Sequence, residues 1–186
     1  MPCAAMADWI GIVLAGGKSR RMGRDKAELR WTHDQTFLDR AVGVLREAGC
    51  EKVIVSGQRA GYDHVPDRWP DHGPLGGIAS VLAARPELEG AVLIMPVDMP
   101  ETEPATLVRL LKAAEDRNGA AYAGYPLPMV LDVNKTTRAA IEQSITGKRL
   151  ALHTLLARLD FAGVAPLPSD CLDNINRPKD YREPQD

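Results

Sequence analysis

The chain has 186 residues, which is enough to enclose one hydrophobic core, and we expect residues 1–186 to form a single domain. Its contents of 45% hydrophobic and 26% charged residues are those of an ordinary globular protein, and no apolar run is long enough to span a membrane. The net charge of −2 excludes a general attraction to nucleic acid or to anionic membranes, so we expect neither as a partner.

The chain begins with residues 1–7, which carry neither a positively charged segment nor a long apolar one. We expect a loosely ordered lead-in here rather than a signal peptide. The three cysteines, Cys3, Cys50 and Cys171, lie far apart and have no metal-ligand spacing. They predict a reducing, cytoplasmic setting.

A short apolar run over 9–14 predicts a buried first strand, and a glycine-rich basic loop follows it. Gly16 and Gly17 allow the backbone to turn sharply and to approach a ligand closely. Five cations lie within nine residues: Lys18, Arg20, Arg21, Arg24 and Lys26. Backbone N–H groups flanked by Lys and Arg suit a polyphosphate, although a glycine turn with solvated surface charge has the same pattern.

The spacing of this loop excludes the two commonest phosphate-binding motifs. The P-loop pattern G-x-x-x-x-G-K-[ST] fails because positions 21 and 22 are Arg and Met. The dinucleotide pattern G-x-G-x-x-G is absent as well. A polyphosphate bound here therefore needs a different class of loop.

Strand-like and helical patterns alternate along the rest of the chain. The strand-like segments lie at 28–31, 52–56, 91–95, 120–123, 129–131 and 164–167. The helical segments lie at 36–48 (opened by a Thr36–Asp39 capping box), 78–84, 104–117, 135–143, 150–159 and from Pro178 onward. An irregular loop is expected over 67–77, which is rich in Pro, Gly and Asp. This alternation predicts an α/β fold, a Rossmann-like three-layer sandwich with a mostly parallel sheet.

Asp98 is the clearest candidate for a metal ligand. It follows the apolar strand at 91–95 and lies between Pro96 and Pro100, which stiffen the loop. Because ligands bind at the carboxyl ends of parallel strands, we expect Asp98 and the glycine loop at one edge of the sheet. Mg²⁺ is commonly held by one or two carboxylates plus substrate phosphates. An Asp at a strand end is also a common turn residue, and the glycine loop favours the Mg²⁺ interpretation.

The thirteen residues from Leu14 to Lys26 read L-A-G-G-K-S-R-R-M-G-R-D-K. This stretch resembles the N-terminal signature L-A-G-G-x-S-x-R-M-G-x-D-K of the molybdenum cofactor guanylyltransferase (MobA-like) family. The resemblance implies the nucleotidyltransferase fold and catalytic roles for Arg21, Lys26 and Asp98. Residues 96–100 are similar to the family's P-x-D-x-P segment, whose aspartate binds Mg²⁺ and the nucleotide.

The same resemblance implies which residues bind the nucleotide. Segment 73–77 is similar to the family's G-P-L-x-G segment beside the base, and Asp67 looks like a nucleotide-contacting aspartate. Ser56 departs from the family, which often has Asn at the end of the second strand, so the contacts of an amide are missing there. The predicted nucleotide-binding residues are Leu14, Ala15, Gly16, Gly17, Lys26, Ser56, Asp67, Gly73, Pro74, Leu75 and Asp98.

The resemblance places the acceptor side toward the C-terminus. Asn174 and Asn176 match the family's N-x-N-x-P segment, in which the asparagines help to bind metal or the second substrate. Segment 125–128 resembles an acceptor-side loop, and Lys148 and Arg149 are candidate cations for the acceptor phosphate. Asn176 also suits the cap of the closing helix, and the two cations also suit a solvated surface.

The resemblance therefore predicts a Mg²⁺-dependent guanylyltransferase that joins GMP from GTP to molybdopterin phosphate and releases pyrophosphate. The attacking phosphate is largely dianionic at neutral pH, so the reaction requires no protein base. Two alternatives stay open: a related nucleotidyltransferase that uses CTP or another phosphorylated acceptor, and a non-catalytic nucleotide-binding regulator. We further expect a monomer or weak oligomer in the cytoplasm, with transient contacts to molybdoenzyme-maturation proteins.

Overall fold

A seven-stranded sheet forms the centre of the computed structural model, which describes residues 9–16, 25–168, 171–176 and 178–181. The strands are β1 Trp9–Leu14, β2 Cys50–Ser56, β3 His64–Val65, β4 Gly90–Pro96, β5 Gly119–Tyr122, β6 Tyr125–Val133 and β7 Phe161–Val164. Their order across the sheet is β3-β2-β1-β4-β6-β5-β7. Of these strands β6 alone runs antiparallel to its neighbours, so the sheet is mostly parallel, as predicted.

Helices cover both faces of this sheet. They are α1 Phe37–Glu47, α2 Gly73–Ala84, α3 Pro104–Ala113, α4 Lys135–Thr146 and α5 Leu152–Leu156, with 3₁₀ turns at Lys26–Glu28 and Pro178–Asp180. Helices α1 and α3 pack on one face, and α2, α4 and α5 pack on the other. The predicted three-layer α/β sandwich is confirmed. Across the described ranges, no helix combines the length and apolar character that crossing a membrane requires.

Strand β4 shows why a continuous apolar run predicts a strand between two helical layers. Leu93 and Met95 belong to the core under α1 and α3, whereas Val92 and Ile94 belong to the core under α2 and α4. All four side chains are fully buried. Successive side chains of a strand point to opposite faces, so a strand covered on both faces must be apolar at every position.

The pairing register brings the carboxyl ends of the central strands level with one another. Leu14, the last residue of β1, pairs with Ser56 of β2 and with Pro96 of β4. The segments that follow these strands therefore leave the sheet along one line, which we call the carboxyl edge. This confirms that the glycine loop and Asp98 emerge at the same edge.

Helix α2 begins at Gly73, so the predicted irregular loop over 67–77 is wrong from that residue onward. Pro74 suits the first turn of a helix, where its missing N–H costs nothing. Gly77 serves close packing rather than a turn, because a Cβ on it would lie 2.6 Å from Ser56 Oγ. The glycines that resemble a loop in the sequence thus let a helix approach the end of β2.

Two further predictions failed because contacts with residues outside each segment override the segment's own pattern. The predicted strand at 28–31 is wrong: Asp25 caps a 3₁₀ turn there, and a single bridge between Arg30 and Thr36 follows. Segment 125–128, predicted as a loop, forms the start of β6, where Tyr125 pairs with β5. Both outcomes depend on neighbours that lie outside the segment itself.

The remaining differences concern where elements end. Helix α3 stops at Ala113 instead of continuing to 117, and the closing helix at Pro178 is only a 3₁₀ turn. Strand β7 spans Phe161–Val164 rather than 164–167, and α5 is shorter than the predicted 150–159. Strand β3 has two residues, too few for an alternating pattern to reveal it.

Candidate functional site

Lys26 and Asp98 form an ion pair at the carboxyl edge, with the Lys26 Nζ 2.7 Å from Asp98 Oδ2. The same ammonium donates a hydrogen bond to Asn176 Oδ1 at 2.8 Å. The side chains of Lys26 and Asp98 are only 15% and 14% exposed, so this contact is poorly screened by water. The fold thus joins residues that are 72 and 150 positions apart in the sequence.

The other oxygen of Asp98 is buried and has no hydrogen-bond partner in the part of the chain that the structure describes. The backbone around it is held in place, because Ile175 N donates to Asp98 O at 2.9 Å. A buried carboxylate oxygen without a donor is costly unless a cation or another donor meets it. Asp98 Oδ1 is therefore suited to accept a cation that enters from the cleft.

Two adjoining cavities open at the carboxyl edge. The Lys26 cavity, of about 260 Å³, is lined by Leu14, Ala15, Gly16, Asp25, Lys26, Gly73, Pro74, Pro96, Val97, Asp98, Leu127 and Asn174. The Ser56 cavity, of about 470 Å³, is lined by Leu14, Gly16, Ser56, Asp67, Pro70, Asp71, Gly73, Pro74 and Gly77. The Lys26 cavity offers a cation, and the Ser56 cavity is bordered by small side chains, two prolines and two aspartates. Together they suit a ligand that combines a polyphosphate with a polar ring system.

The N-terminus of α2 lies between the two cavities, since Gly73 and Pro74 line both. The preceding residue, His72, provides no side-chain cap for the helix. First-turn N–H groups of a helix carry partial positive charge and bind anions readily. This helix end therefore complements Lys26 as a second source of positive potential beside the cleft.

Polar groups in the Ser56 cavity are positioned by their surroundings. Asp67 Oδ1 accepts hydrogen bonds from Trp69 N at 3.0 Å and from Ser80 Oγ at 3.2 Å. Asp67 Oδ2 lies toward Gly16, at 3.6 Å from the position of a Cβ built on that glycine. Ser56 is 1% exposed, and its hydroxyl has no partner among the residues described. One carboxylate oxygen and one hydroxyl are thus available to a ligand.

The predicted site residues do not all lie in one place. The structure gathers most of them around the two cavities, including Asn174, while Asn176 contacts Lys26. The Leu75 side chain is fully buried in the core, so only its backbone at the start of α2 is near the cleft. Gly17 and Arg21 lie outside the described residues.

Lys148 and Arg149 are not brought into the Lys26 cavity. Both are exposed and follow the end of α4. Arg149 lines a separate groove that it shares with Arg158 and residues of α4. Their predicted contact with an acceptor phosphate stays a prediction.

Two charged residues near the cleft were not among the site residues predicted from the sequence. Asp25 lines the Lys26 cavity and forms an ion pair with Arg59, whose Nη1 lies 2.7 Å from Asp25 Oδ2. Asp25 is part of the thirteen-residue signature, which offered a signal for it. Arg59 lies in the segment after β2, and no local pattern marks it.

Comparisons with known proteins identify the family of the chain. Residues 11–162 match the model of the family described as MobA-like NTP transferase domain. A protein of Xanthomonas euvesicatoria pv. vesicatoria, named molybdenum cofactor guanylyltransferase, is 42% identical over 139 residues, which cover 75% of this chain and 72% of that protein. A protein of Opitutus terrae, named probable molybdenum cofactor guanylyltransferase, is 35% identical over 188 residues and covers 91% of each chain.

A solved structure shares the fold. The molybdopterin-guanine dinucleotide biosynthesis protein A of Archaeoglobus fulgidus superposes with a TM-score of 0.72, covering 92% of this chain and 94% of its own, at 20% identity. The family match extends from β1 to the start of β7 and includes Lys26, Asp67 and Asp98. The chain therefore belongs to the family of MobA-like NTP transferase domains and is a nucleotidyltransferase.

Proposed function

We propose that this enzyme transfers GMP from GTP to the phosphate of molybdopterin, releases pyrophosphate and requires Mg²⁺. The observation that carries the proposal is the contact of Lys26 with Asp98 and Asn176 beside two adjoining cavities. The relatives from Xanthomonas and Opitutus support guanosine as the nucleoside and molybdopterin as the acceptor.

The main difficulty of this reaction is to bring two anions together. Lys26, the backbone at Gly16 and the N-terminus of α2 would neutralise and orient the triphosphate in the Lys26 cavity. Arg21 and Gly17 are proposed to act with them. The acceptor phosphate is mostly dianionic at neutral pH and attacks without a protein base. In-line positioning of the two phosphates accounts for the rest of the rate.

The residues at Asp98 fit a bound Mg²⁺ ion. Asp98 Oδ1 is buried without a hydrogen-bond partner in the described ranges, and the amide of Asn174 lines the same cavity. Mg²⁺ takes oxygen ligands and is usually held by one or two carboxylates plus substrate phosphates. When bound, the ion supplies Lewis-acid polarisation of the α-phosphate. Asp98 Oδ2 stays available to hold Lys26.

The Ser56 cavity is the proposed site of the nucleoside. Its volume of about 470 Å³ and its position beside the charged cavity suit a base and ribose. Ser56 Oγ and Asp67 Oδ2 would bond to the nucleoside, while Gly73, Pro74 and the backbone of Leu75 form the adjoining wall. We assign Asn174 and Asn176 to the acceptor side. The cytoplasmic setting, the oligomeric state and contacts with maturation proteins stay predictions.

A thermal-shift titration with GTP, CTP, ATP and UTP, each with and without Mg²⁺, tests the nucleotide. A ligand at 100 times its dissociation constant adds about 2.7 kcal/mol to the free energy of unfolding. We expect a Mg²⁺-assisted shift with GTP, followed by pyrophosphate release when molybdopterin is added. A shift with CTP alone would move the assignment to a cytidylyltransferase. Nucleotide binding without pyrophosphate release in the presence of molybdopterin would support a different acceptor or a regulator.

A further inference from the structure

The guanidinium of Arg59 contacts both described ends of the glycine loop, which we define as residues 15–26. Arg59 Nη2 donates to Ala15 O at 2.9 Å and to Asp25 Oδ1 at 2.9 Å. Arg59 Nη1 lies 2.7 Å from Asp25 Oδ2, so the ion pair is bidentate, with one hydrogen bond and one close charge contact. A contact of two nitrogens with two carboxylate oxygens gives geometric specificity that a single contact lacks.

The Asp25 carboxylate also controls the backbone next to Lys26. Asp25 Oδ1 accepts a hydrogen bond from Ala27 N at 3.0 Å and so caps the 3₁₀ turn Lys26–Glu28. Lys26 is the first residue of that turn, and its ammonium reaches Asp98. Arg59 thus holds the Asp25 carboxylate in place. The Asp25 carboxylate in turn fixes the start of the turn that carries Lys26.

Arg59 also compensates a charge that would otherwise oppose binding. Asp25 lines the Lys26 cavity, and an isolated carboxylate there would repel a polyphosphate. The Arg59 and Asp25 side chains are 17% and 33% exposed, so water screens their attraction only in part. The ion pair therefore keeps the cavity suited to an anion while using the carboxylate as a structural anchor.

The segment after β2 is itself held firmly against the loop. Gly57 has φ of +113°, and a Cβ on it would lie 3.2 Å from Ala15 C and Ala15 O. Ala15 N also donates to Ser56 O at 3.0 Å. Because the backbone preceding Arg59 packs directly on the start of the glycine loop, this arginine is supported at its base.

We infer that Arg59 is a positioning residue: its ion pair with Asp25 holds the two ends of the glycine loop together and directs Lys26 toward the phosphates of the nucleotide. Arg59 itself lines neither the Lys26 cavity nor the Ser56 cavity. This inference rests on the proposed function for its effect on rate, but the holding of the loop ends can be measured separately.

The first test compares Arg59→Met, Asp25→Asn and the double variant in steady-state guanylyl transfer. We expect each single variant to lower kcat by about 10²-fold, as for a misplaced catalytic group, with a smaller change in KM for GTP. The double variant should be no slower than the slower single variant, because both remove the same contact. Arg59→Lys keeps the charge but not the bidentate geometry and should recover only part of the rate.

Arg117→Met is the matched control. Arg117 forms an ion pair with Asp160 at 2.8 Å, away from the carboxyl edge, and the variant should keep kcat within about twofold, as for surface ion pairs. An Arg59→Met enzyme with the kcat of Arg117→Met would overturn the inference and leave the proposed function standing.

The second test does not depend on catalysis. Trypsin cleaves after Lys and Arg, and Lys26 begins the turn that Asp25 caps. We expect Arg59→Met and Asp25→Asn to be cut after Lys26 about tenfold faster than wild type at equal Tm, because this turn opens more easily without the ion pair. Cleavage at the wild-type rate contradicts the inference even if no nucleotide is ever transferred. If only the proposed function were wrong, the wild type would be inactive, but its resistance to cleavage after Lys26 would still depend on Arg59.

Discussion

Asp98 uses its two carboxylate oxygens differently. Oδ2 is 2.7 Å from the Lys26 ammonium, while Oδ1 is buried and has no partner among the residues described. Removing one member of such a poorly solvated pair leaves the other charge uncompensated, so a substitution disturbs both partners. Experiments on these residues therefore need a neutral variant of similar shape and a measurement of folding beside each measurement of rate.

Asp98→Asn should strongly lower turnover while the protein stays folded. The amide keeps the shape of the side chain but loses the negative charge that faces Lys26 and the proposed Mg²⁺. We expect kcat to fall by about 10²-fold or more, measured as pyrophosphate release over a range of Mg²⁺ concentrations. Asp116→Asn is the matched control, because Asp116 has φ of +60°, which Asn tolerates, and lies on a different groove. Full activity of Asp98→Asn would show that Asp98 does not hold a catalytically required Mg²⁺ ion.

Lys26→Ala should lower kcat by about 10²-fold, the usual cost of losing one preorganised charge donor in a catalytic site. The loss should appear in guanylyl transfer at saturating GTP, since Lys26 is proposed to act on phosphates as charge develops. Lys112→Ala, on the exposed side of α3, serves as the control for loss of a lysine. A loss below threefold would reduce Lys26 to a structural partner of Asp98.

At the scale of elements, the start of α1 shows how a local motif is strengthened by a distant residue. Thr36 and Asp39 form the predicted capping box, with Asp39 N donating to Thr36 Oγ1 at 3.1 Å and Thr36 N donating to Asp39 Oδ2 at 2.8 Å. Tyr62 adds a short hydrogen bond from its hydroxyl to Asp39 Oδ1. The box is local, whereas the Tyr62 contact requires the segment after β2 to fold back onto α1.

The contact between Tyr62 and Asp39 shifts the pKa of both side chains. Burial acts to raise the pKa of Asp39, but the hydrogen bonds from Tyr62 and Thr36 outweigh it and hold the pKa below its usual value of 3.8. Burial and then the bond to Asp39 raise the pKa of Tyr62 to about 12. Folding therefore favours the ionised form of Asp39 and the neutral form of Tyr62.

The Asp39 shift predicts how stability depends on pH. A depressed folded-state pKa contributes stability that is fully present above the unfolded value of 3.8 and is lost as the pH falls through the folded pKa. The difference in unfolding free energy between wild type and Asp39→Asn should therefore be constant from pH 7 to about pH 5 and shrink below about pH 4. Urea denaturation at each pH measures it. A constant difference down to the acid limit would contradict the prediction.

The same motif gives a matched pair of variants at neutral pH. Thr36→Ala should lower the free energy of unfolding by about 1 kcal/mol, the typical cost of an N-cap. Thr32→Ala, a few residues earlier and outside the helix, should have a much smaller effect. Equal values for the two variants would show that the capping box contributes nothing to stability.

At the scale of the whole molecule, the C-terminal strap completes the site. We use this name for residues 171–176 and 178–181, which cross the carboxyl edge after the last strand. Leu172 is buried in the core under α1 and α3, and Ile175 N donates to Asp98 O. Tyr181 donates from its hydroxyl to Arg30 O at 3.0 Å, and its ring packs edge-on against Phe37 at 5.7 Å. The strap thus brings Asn174 and Asn176 to the cleft.

Tyr181→Ala should loosen the strap and weaken the site from a distance. Loss of the ring contact with Phe37 should lower the free energy of unfolding by about 1 kcal/mol, the usual size for an aromatic pair. It should also lower guanylyl transfer, because Asn176 is held less firmly beside Lys26. Tyr181→Phe keeps the ring and should retain most of both properties. Equal effects of the two variants would mean that the hydroxyl, rather than the packing of the ring, anchors the strap.

Much of this organisation was predictable where a property is local in the chain. The strand at 9–14, the capping box at Thr36 and the position of Asp98 at the same edge as the glycine loop all follow from nearby patterns of apolar, glycine and charged residues. The start of α2 was misjudged because Gly77 serves packing against Ser56 rather than a turn. Arg59 was missed because an isolated arginine after a strand gives no sign of its partner.

The sequence by itself determined the α/β class, the order of the main elements and the family to which the chain belongs, since periodicity and a contiguous signature are local properties. Only the tertiary structure decided that one Asp98 oxygen lacks a partner among the described residues, that Asn176 reaches Lys26 and that Arg59 joins the two described ends of the glycine loop. These contacts depend on strand order and register, which place distant residues side by side at the carboxyl edge.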